Sequence, residues 1–144
     1  MTFGPAAHPV QNVQGLNESN AMLWQVTSGQ PLPVARVPFW IDVRDLAEAH
    51  VEALLRPEAG NKRYTIAAPE KFSYSLAAKI ILEEFEWARG NVSEEEQIID
   101  DSHGLYGETV ERELGVKYRS FRETVVDLVG QLYRMEQMKT WLRN

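Results

Sequence analysis

Phe39-Trp40-Ile41-Asp42-Val43-Arg44-Asp45-Leu46-Ala47-Glu48-Ala49-His50-Val51 changes its periodicity partway along. The stretch from Pro38 to Val43 is rich in aromatic and β-branched residues, which suit the pleat of a buried strand. Leu46, Ala49, His50, Ala53 and Leu54 then recur at the spacing of one helix face, which predicts a helix with His50 on its apolar side. Asp45 stands where a carboxylate can accept orphan amides, and Glu48 three residues later completes a capping box. Pro57 and Gly60 end the helix.

Outward from this unit the pattern is mostly helical. Phe3 to Pro9, with Gly4, Pro5 and Pro9, reads as a loop. Asn17, Ser19 and Asn20 can each cap a helix running through Ala21 to Val26, with Gly29 as its stop. Gln30 to Val37 is a connector, and Arg63 to Ala67 reads as a second short strand. Ser73 caps a helix whose stripe is Leu76, Ala77, Ile80, Ile81 and Phe85. Glu94-Glu95-Glu96 reads as a solvated face, and Gln97 to Ile99 as a weak strand. Thr109 to Leu114 is a short helix stopped by Gly115. Ser120 to Glu123 is a second capping box, opening a long helix with Phe121, Val125, Leu128, Leu132 and Met135 on one face. The expected fold is α/β: a small helix-rich domain with few short strands, spanning residues 1–144 as one domain. The strands are too few for a self-contained doubly wound sheet.

Net charge is −6 and no run of Lys and Arg exceeds two, which argues against nucleic-acid binding. There are no cysteines, so disulfides, thiolate metal sites and a Cys nucleophile are excluded. No apolar stretch approaches the ~20 residues a membrane span needs. Met1 to Val10 has neither a basic nor an apolar signal region, so a cytoplasmic location is expected.

Three stretches, in order, resemble one family. Phe3-Gly4-Pro5, followed by His8-Pro9, resembles the loop after the sixth Rossmann strand of the extended short-chain dehydrogenase/reductases. Phe39 to Val51 is similar to that family's segment of a strand followed by Val-x-Asp-hydrophobic-Ala-x-Ala-His, and Arg112 to Ser120 to its late turn before the final helix. Asn61 to Tyr64 fits the strand after the long helix. The likeness is to the branch containing fungal methylglyoxal reductases and dihydroflavonol reductases. It implies the C-terminal, substrate-binding end of such an enzyme. Met1 falls where the family's Rossmann half would end. That leaves three accounts open: a truncation with a new role, one part of a two-chain assembly, or a degenerate remnant.

Two family motifs are missing from these residues. The pyrophosphate turn needs glycines spaced G-x-x-G-x-x-G, where amides and helix dipole meet the phosphate charge, and none of the 9 glycines has that spacing. The family's proton donor is a Tyr with a Lys four residues on. After Tyr64, Tyr74, Tyr106, Tyr118 and Tyr133 that position holds Ala68, Ala78, Val110, Arg122 and Gln137. Hydride transfer by these residues alone is therefore not expected, nor is any cofactor or metal.

The candidate catalytic residues are His8, Asp42 and Arg44. The competing reading of Asp42 to Asp45 is a strand-to-helix corner in which Arg44 pairs with Asp42. Asn17, Asn20, Trp24 and Trp40 are the candidate substrate-binding residues, with helix capping and core packing as the alternative. Asp100-Asp101-Ser102-His103 reads as an acidic surface loop. These readings lead to a cofactor-independent, non-redox enzyme (isomerase, dehydratase or cyclase) acting on an apolar carbonyl-bearing metabolite. The alternative is a non-catalytic partner subunit or an inactive remnant of an NADP-dependent reductase. A homodimer or a partner chain is expected to cover exposed apolar surface.

Overall fold

Backbone pairing begins at the second residue. In the computed structural model, which describes residues 1–142, β1 (Thr2–Phe3) runs parallel to β2 (Ile41–Asp42), with Thr2 opposite Ile41 and Phe3 opposite Asp42. Phe3 therefore belongs to a strand, and the expected loop starts only at Gly4. Strand β2 is shorter than the Pro38–Val43 run, because only two of its residues find a ladder partner.

The strands expected at 63–67 and 97–99 do not form. The chain meets the sheet region only after the first segment, through Ala68 N to Trp40 O at 2.9 Å and Phe72 N to Pro38 O at 3.0 Å. In the second, the Gln97 side chain replaces strand pairing. Its Oε1 accepts from the amides of Tyr74 and Ser75, and its Nε2 donates to Pro33 O at 2.7 Å.

Among the described residues there are five α-helices, the first between the two strands and the others after β2: α1 (Glu18–Gln25), α2 (Val43–Leu55), α3 (Tyr74–Glu84), α4 (Glu108–Leu114) and α5 (Phe121–Leu142). Their ends follow local chemistry. Ser73 Oγ accepts from Leu76 N, Ser120 Oγ accepts from Glu123 N, and Gly115 closes α4 at φ 74°. Helix α2 departs from expectation. Its cap is Asp42, whose Oδ1 accepts from Arg44 N at 2.8 Å, because β2 runs straight into the helix with no turn between. Asp45, the expected cap, lies fully buried in the first turn. There it accepts from Arg119 N at 2.7 Å and pairs with the Arg119 guanidinium, tying α2 to the start of α5.

The main core joins α3 and α5 across the strand pair. Phe3, Phe72, Tyr74 and Phe121 are buried and meet edge-on, as do Trp40 and Phe121 at 5.0 Å between centroids. Val125, Leu128 and Leu132 complete the stripe on α5. A smaller cluster of Ala49, Val110, Leu114 and Val116 holds α2 against α4.

Helix α2 keeps its apolar periodicity but does not bury the face it marks. Its buried residues are Asp45 and Ala49. Val51, Leu54 and Leu55 are 54%, 85% and 69% exposed. His50, expected in the core, is exposed instead, with Nδ1 2.7 Å from Leu46 O. Among the described residues no helix is long and apolar enough to cross a membrane.

Candidate functional site

The chain leaves β1 through Gly4 at φ 133°, a conformation that L side chains rarely adopt. A Cβ here would come within 2.9 Å of a Val43 methyl and 3.2 Å of Asp42 Oδ1. The next residues have no strand neighbour, so their buried backbone groups need other partners. Two side-chain amides supply them. Asn20 of α1 donates to Gly4 O at 2.9 Å and accepts from Gly4 N at 3.3 Å. Gln131 of α5 donates to Ala6 O at 2.9 Å and accepts from Ala6 N at 2.8 Å. Each amide thereby copies the two-bond exchange of an antiparallel strand pair.

The clamped loop walls a mainly apolar cavity of about 330 Å³. Leu16 and Asn17 close one side, and Val43, Arg44 and Ala47 of α2 the other. Few polar groups reach it. Asn17 opens α1 but its side chain makes no capping bond. His8 is exposed on the rim.

Beneath the cavity lies a charged network. Asp42 is fully buried and its two oxygens take four donors: Arg44 N (2.8 Å), Arg44 Nε (2.9 Å), Arg44 Nη2 (2.8 Å) and Thr124 Oγ1 (2.6 Å). Arg44 Nη1 reaches Asp127 Oδ2 at 2.6 Å. Burial alone would push the Asp42 carboxyl up, but the hydrogen bonds from Arg44 and Thr124 outweigh it and hold the group below the ordinary carboxylate range. The Asp42 hydrogen bonds raise the Arg44 pKa further, so both groups stay charged. A carboxylate with every lone pair engaged is a poor base, and this arrangement matches the corner reading of Asp42 and Arg44.

The structure brings His8, Asn17, Asn20 and Arg44 to one cavity. Asn20 has both ends of its amide committed to Gly4, so it shapes the wall. Trp40 is buried in the core, donating Nε1 to Glu70 O at 2.8 Å, and Trp24 faces Trp87 at 6.3 Å between centroids. Neither tryptophan lines the cavity. Thr124, Asp127 and Gln131 were absent from the candidates. They recur at helical spacing along α5, a polar line beside the apolar stripe, and that line was the available signal. Lys71 gathers the Asp100 carbonyl, the Asp101 carboxylate and the His103 carbonyl, which orders the acidic loop. Among the described residues no group of three or more potential ligands is placed to hold a metal.

No family model matches the chain. Individual proteins do. An uncharacterized oxidoreductase of Schizosaccharomyces pombe is 31% identical over 139 residues, covering 95% of this chain and 41% of the relative. A ketoreductase of Aspergillus niger is 30% identical over 140 residues, covering 92% and 41%. The solved yeast methylglyoxal/isovaleraldehyde reductase complexed with NADPH superposes with a TM-score of 0.73 at 25% identity, over 94% of this chain and 42% of that one. The chain thus spans about two fifths of the length of these relatives. Over those residues it corresponds to the helix-rich, substrate-side portion of the extended short-chain dehydrogenase/reductases, the family to which it belongs.

Proposed function

We propose that this chain is the substrate-side module of a nicotinamide-dependent carbonyl reductase, completed by a nucleotide-binding unit seated over α2. The observation that carries this is the continuity of the cavity with bare apolar surface. Val43 and Ala47 line the cavity, and Val51, Leu54 and Leu55 extend the same helix outward into solvent. Contiguous apolar patches of this kind mark an interaction face. Asn17 and Arg44 supply donors for a carbonyl oxygen inside the cavity.

The residues of this chain do not fit a dinucleotide's phosphates. Helix α2 opens on Asp42, whose carboxylate already accepts the Arg44 amide in the first turn. Helix α1 opens on Glu18, an acid in the first turn, and α3 on Ser73, bonded to Leu76 N. The first amide of α5 donates to the Glu70 carboxylate. Among the described residues no helix of eight residues or more has an N-terminus with the free amides and absence of negative charge that a diphosphate needs. A cofactor-free isomerase, dehydratase or cyclase in the same cavity would need an acid–base pair. Asp42 is saturated, and among the described residues His8 has no hydrogen-bond partner to pair with as acid and base, so that reading has no support in the geometry.

Mixing or co-expressing the chain with the nucleotide-binding part of the yeast methylglyoxal reductase tests the proposal. NADPH oxidation on methylglyoxal or isovaleraldehyde should appear only with both parts present, and Leu54→Lys should reduce it more than tenfold. NADPH oxidation by the chain alone, or product formed without any nicotinamide, would overturn the reading. No activity in any combination would favour an inactive remnant.

A further inference from the structure

Two cavities in this chain share one wall. Behind the rim of the cavity described above lies a second, mainly apolar depression of about 560 Å³, with Leu132, Met135 and Met138 of α5 among its walls. Ala6, His8 and Val10 line both spaces. The rim is anchored at one end only. Gln131 holds both backbone groups of Ala6, whereas among the described residues Ala7, His8, Pro9 and Val10 make no hydrogen bond. Beyond the clamp, nothing but packing separates the two spaces.

Their chemistry divides the same way. The uncommitted donors near the backbone loop, the Asn17 amide and the remaining N–H groups of Arg44, belong to the first cavity. The second offers flexible, polarisable thioethers that fit irregular apolar ligands; its Gln131 amide is already committed to Ala6, and Tyr133, Arg134 and Gln137 complete a wall that is still mainly apolar. Each space lies within the range of about 300–1,000 Å³ that accommodates a sizeable organic ligand. A carbonyl compound of only three to five carbons leaves the second space unused.

We propose that the two cavities are halves of one site whose ligand is a medium-chain apolar carbonyl compound. Its carbonyl sits at Asn17 and Arg44, and its tail crosses the His8 rim onto Met135 and Met138. This rests on the carbonyl-binding reading above and adds the ligand's length and the path of its tail.

The test is calorimetric binding of the homologous 2-alkanones, from 2-butanone to 2-decanone, to the purified chain. Affinity should rise about fourfold per added methylene. Met138→Arg, at a position 61% exposed and outside the core, should abolish the gain for the longer ketones and leave 2-butanone unchanged. Ala47→Trp, which fills the first cavity, should weaken the whole series. Affinity that levels off by 2-pentanone, or a full series unaffected by Met138→Arg, overturns the proposal. Binding is read here without cofactor or turnover. Failure to reconstitute reductase activity would therefore sink the functional reading and leave a positive ketone series standing.

Discussion

Asp42→Asn tests the network beneath the cavity most directly. The carboxylate is fully buried and accepts four hydrogen bonds, three of them from Arg44. An amide keeps the shape but has one acceptor oxygen. Whichever oxygen its NH₂ group replaces, that group faces an N–H of the Arg44 guanidinium, donor against donor. The change also leaves Arg44 with only Asp127, whose side chain is 41% exposed. Breaking a buried ion pair from one side typically costs about 3–5 kcal/mol. For a chain of this size that is on the order of 10 °C in Tm. The assay is urea unfolding followed by circular dichroism, with thermal melts in parallel. Because the folded-state carboxyl is held below its ordinary value of 3.8, its contribution is present above that value and lost as pH falls through the folded pKa. The wild type should therefore lose part of its advantage over Asp42→Asn below about pH 4. A loss under about 1 kcal/mol at neutral pH, or a difference independent of acid, would refute the account of Asp42 as the keystone of this corner.

Two further outcomes follow from the same geometry. Gln131→Leu removes both bonds to Ala6 and leaves its backbone groups unpaired, so stability should fall by about 1–3 kcal/mol and proteolysis near residues 6–12 should accelerate. Unchanged cleavage rates would show that the clamp does not hold the loop. Burial raises the phenols of Tyr74 and Tyr118 to about 12 each, so a spectrophotometric titration should find part of the tyrosine absorbance change delayed well past pH 10. Their stabilising effect is complete below pH 10 and disappears as pH climbs toward 12, which unfolding melts across that window would register.

Much of the fold was legible in the residues because its signals are local. Ser73, Gly115 and Ser120 act within one turn of their own positions, and each marks a helix end where its chemistry requires one. The apolar stripe on α5 is likewise a property of one helix and is buried as its spacing implies. The failures involve distant partners. Asp45 was taken for a cap because its capping geometry is local, whereas its partner Arg119 lies 74 residues away. His50 and Leu54 share a periodic face that nothing among the described residues covers, and periodicity alone cannot say whether a face finds a neighbour. Segments 63–67 and 97–99 have strand-forming residues but build no ladder with the two-stranded sheet, and pairing with a distant edge is not written in local composition. At the site, the loop containing Gly4 and His8 was legible, as were Asn17, Asn20 and Arg44 near it. Gln131 was not, since a helix-surface glutamine does not announce which backbone it will meet.

Asp42 ends a strand, starts a helix and bonds to a third element at once. Sheet, α2 and α5 therefore cannot shift independently at this point, and the space above them has an unyielding base. Its opposite border, past Ala6, has no such fixture. A receptacle that is rigid below and compliant above discriminates sharply among ligand head groups while tolerating variety in whatever trails behind them. For the ligand proposed above, a change of tail would then be met by replacing residues on the compliant side, leaving the aspartate and its four donors untouched.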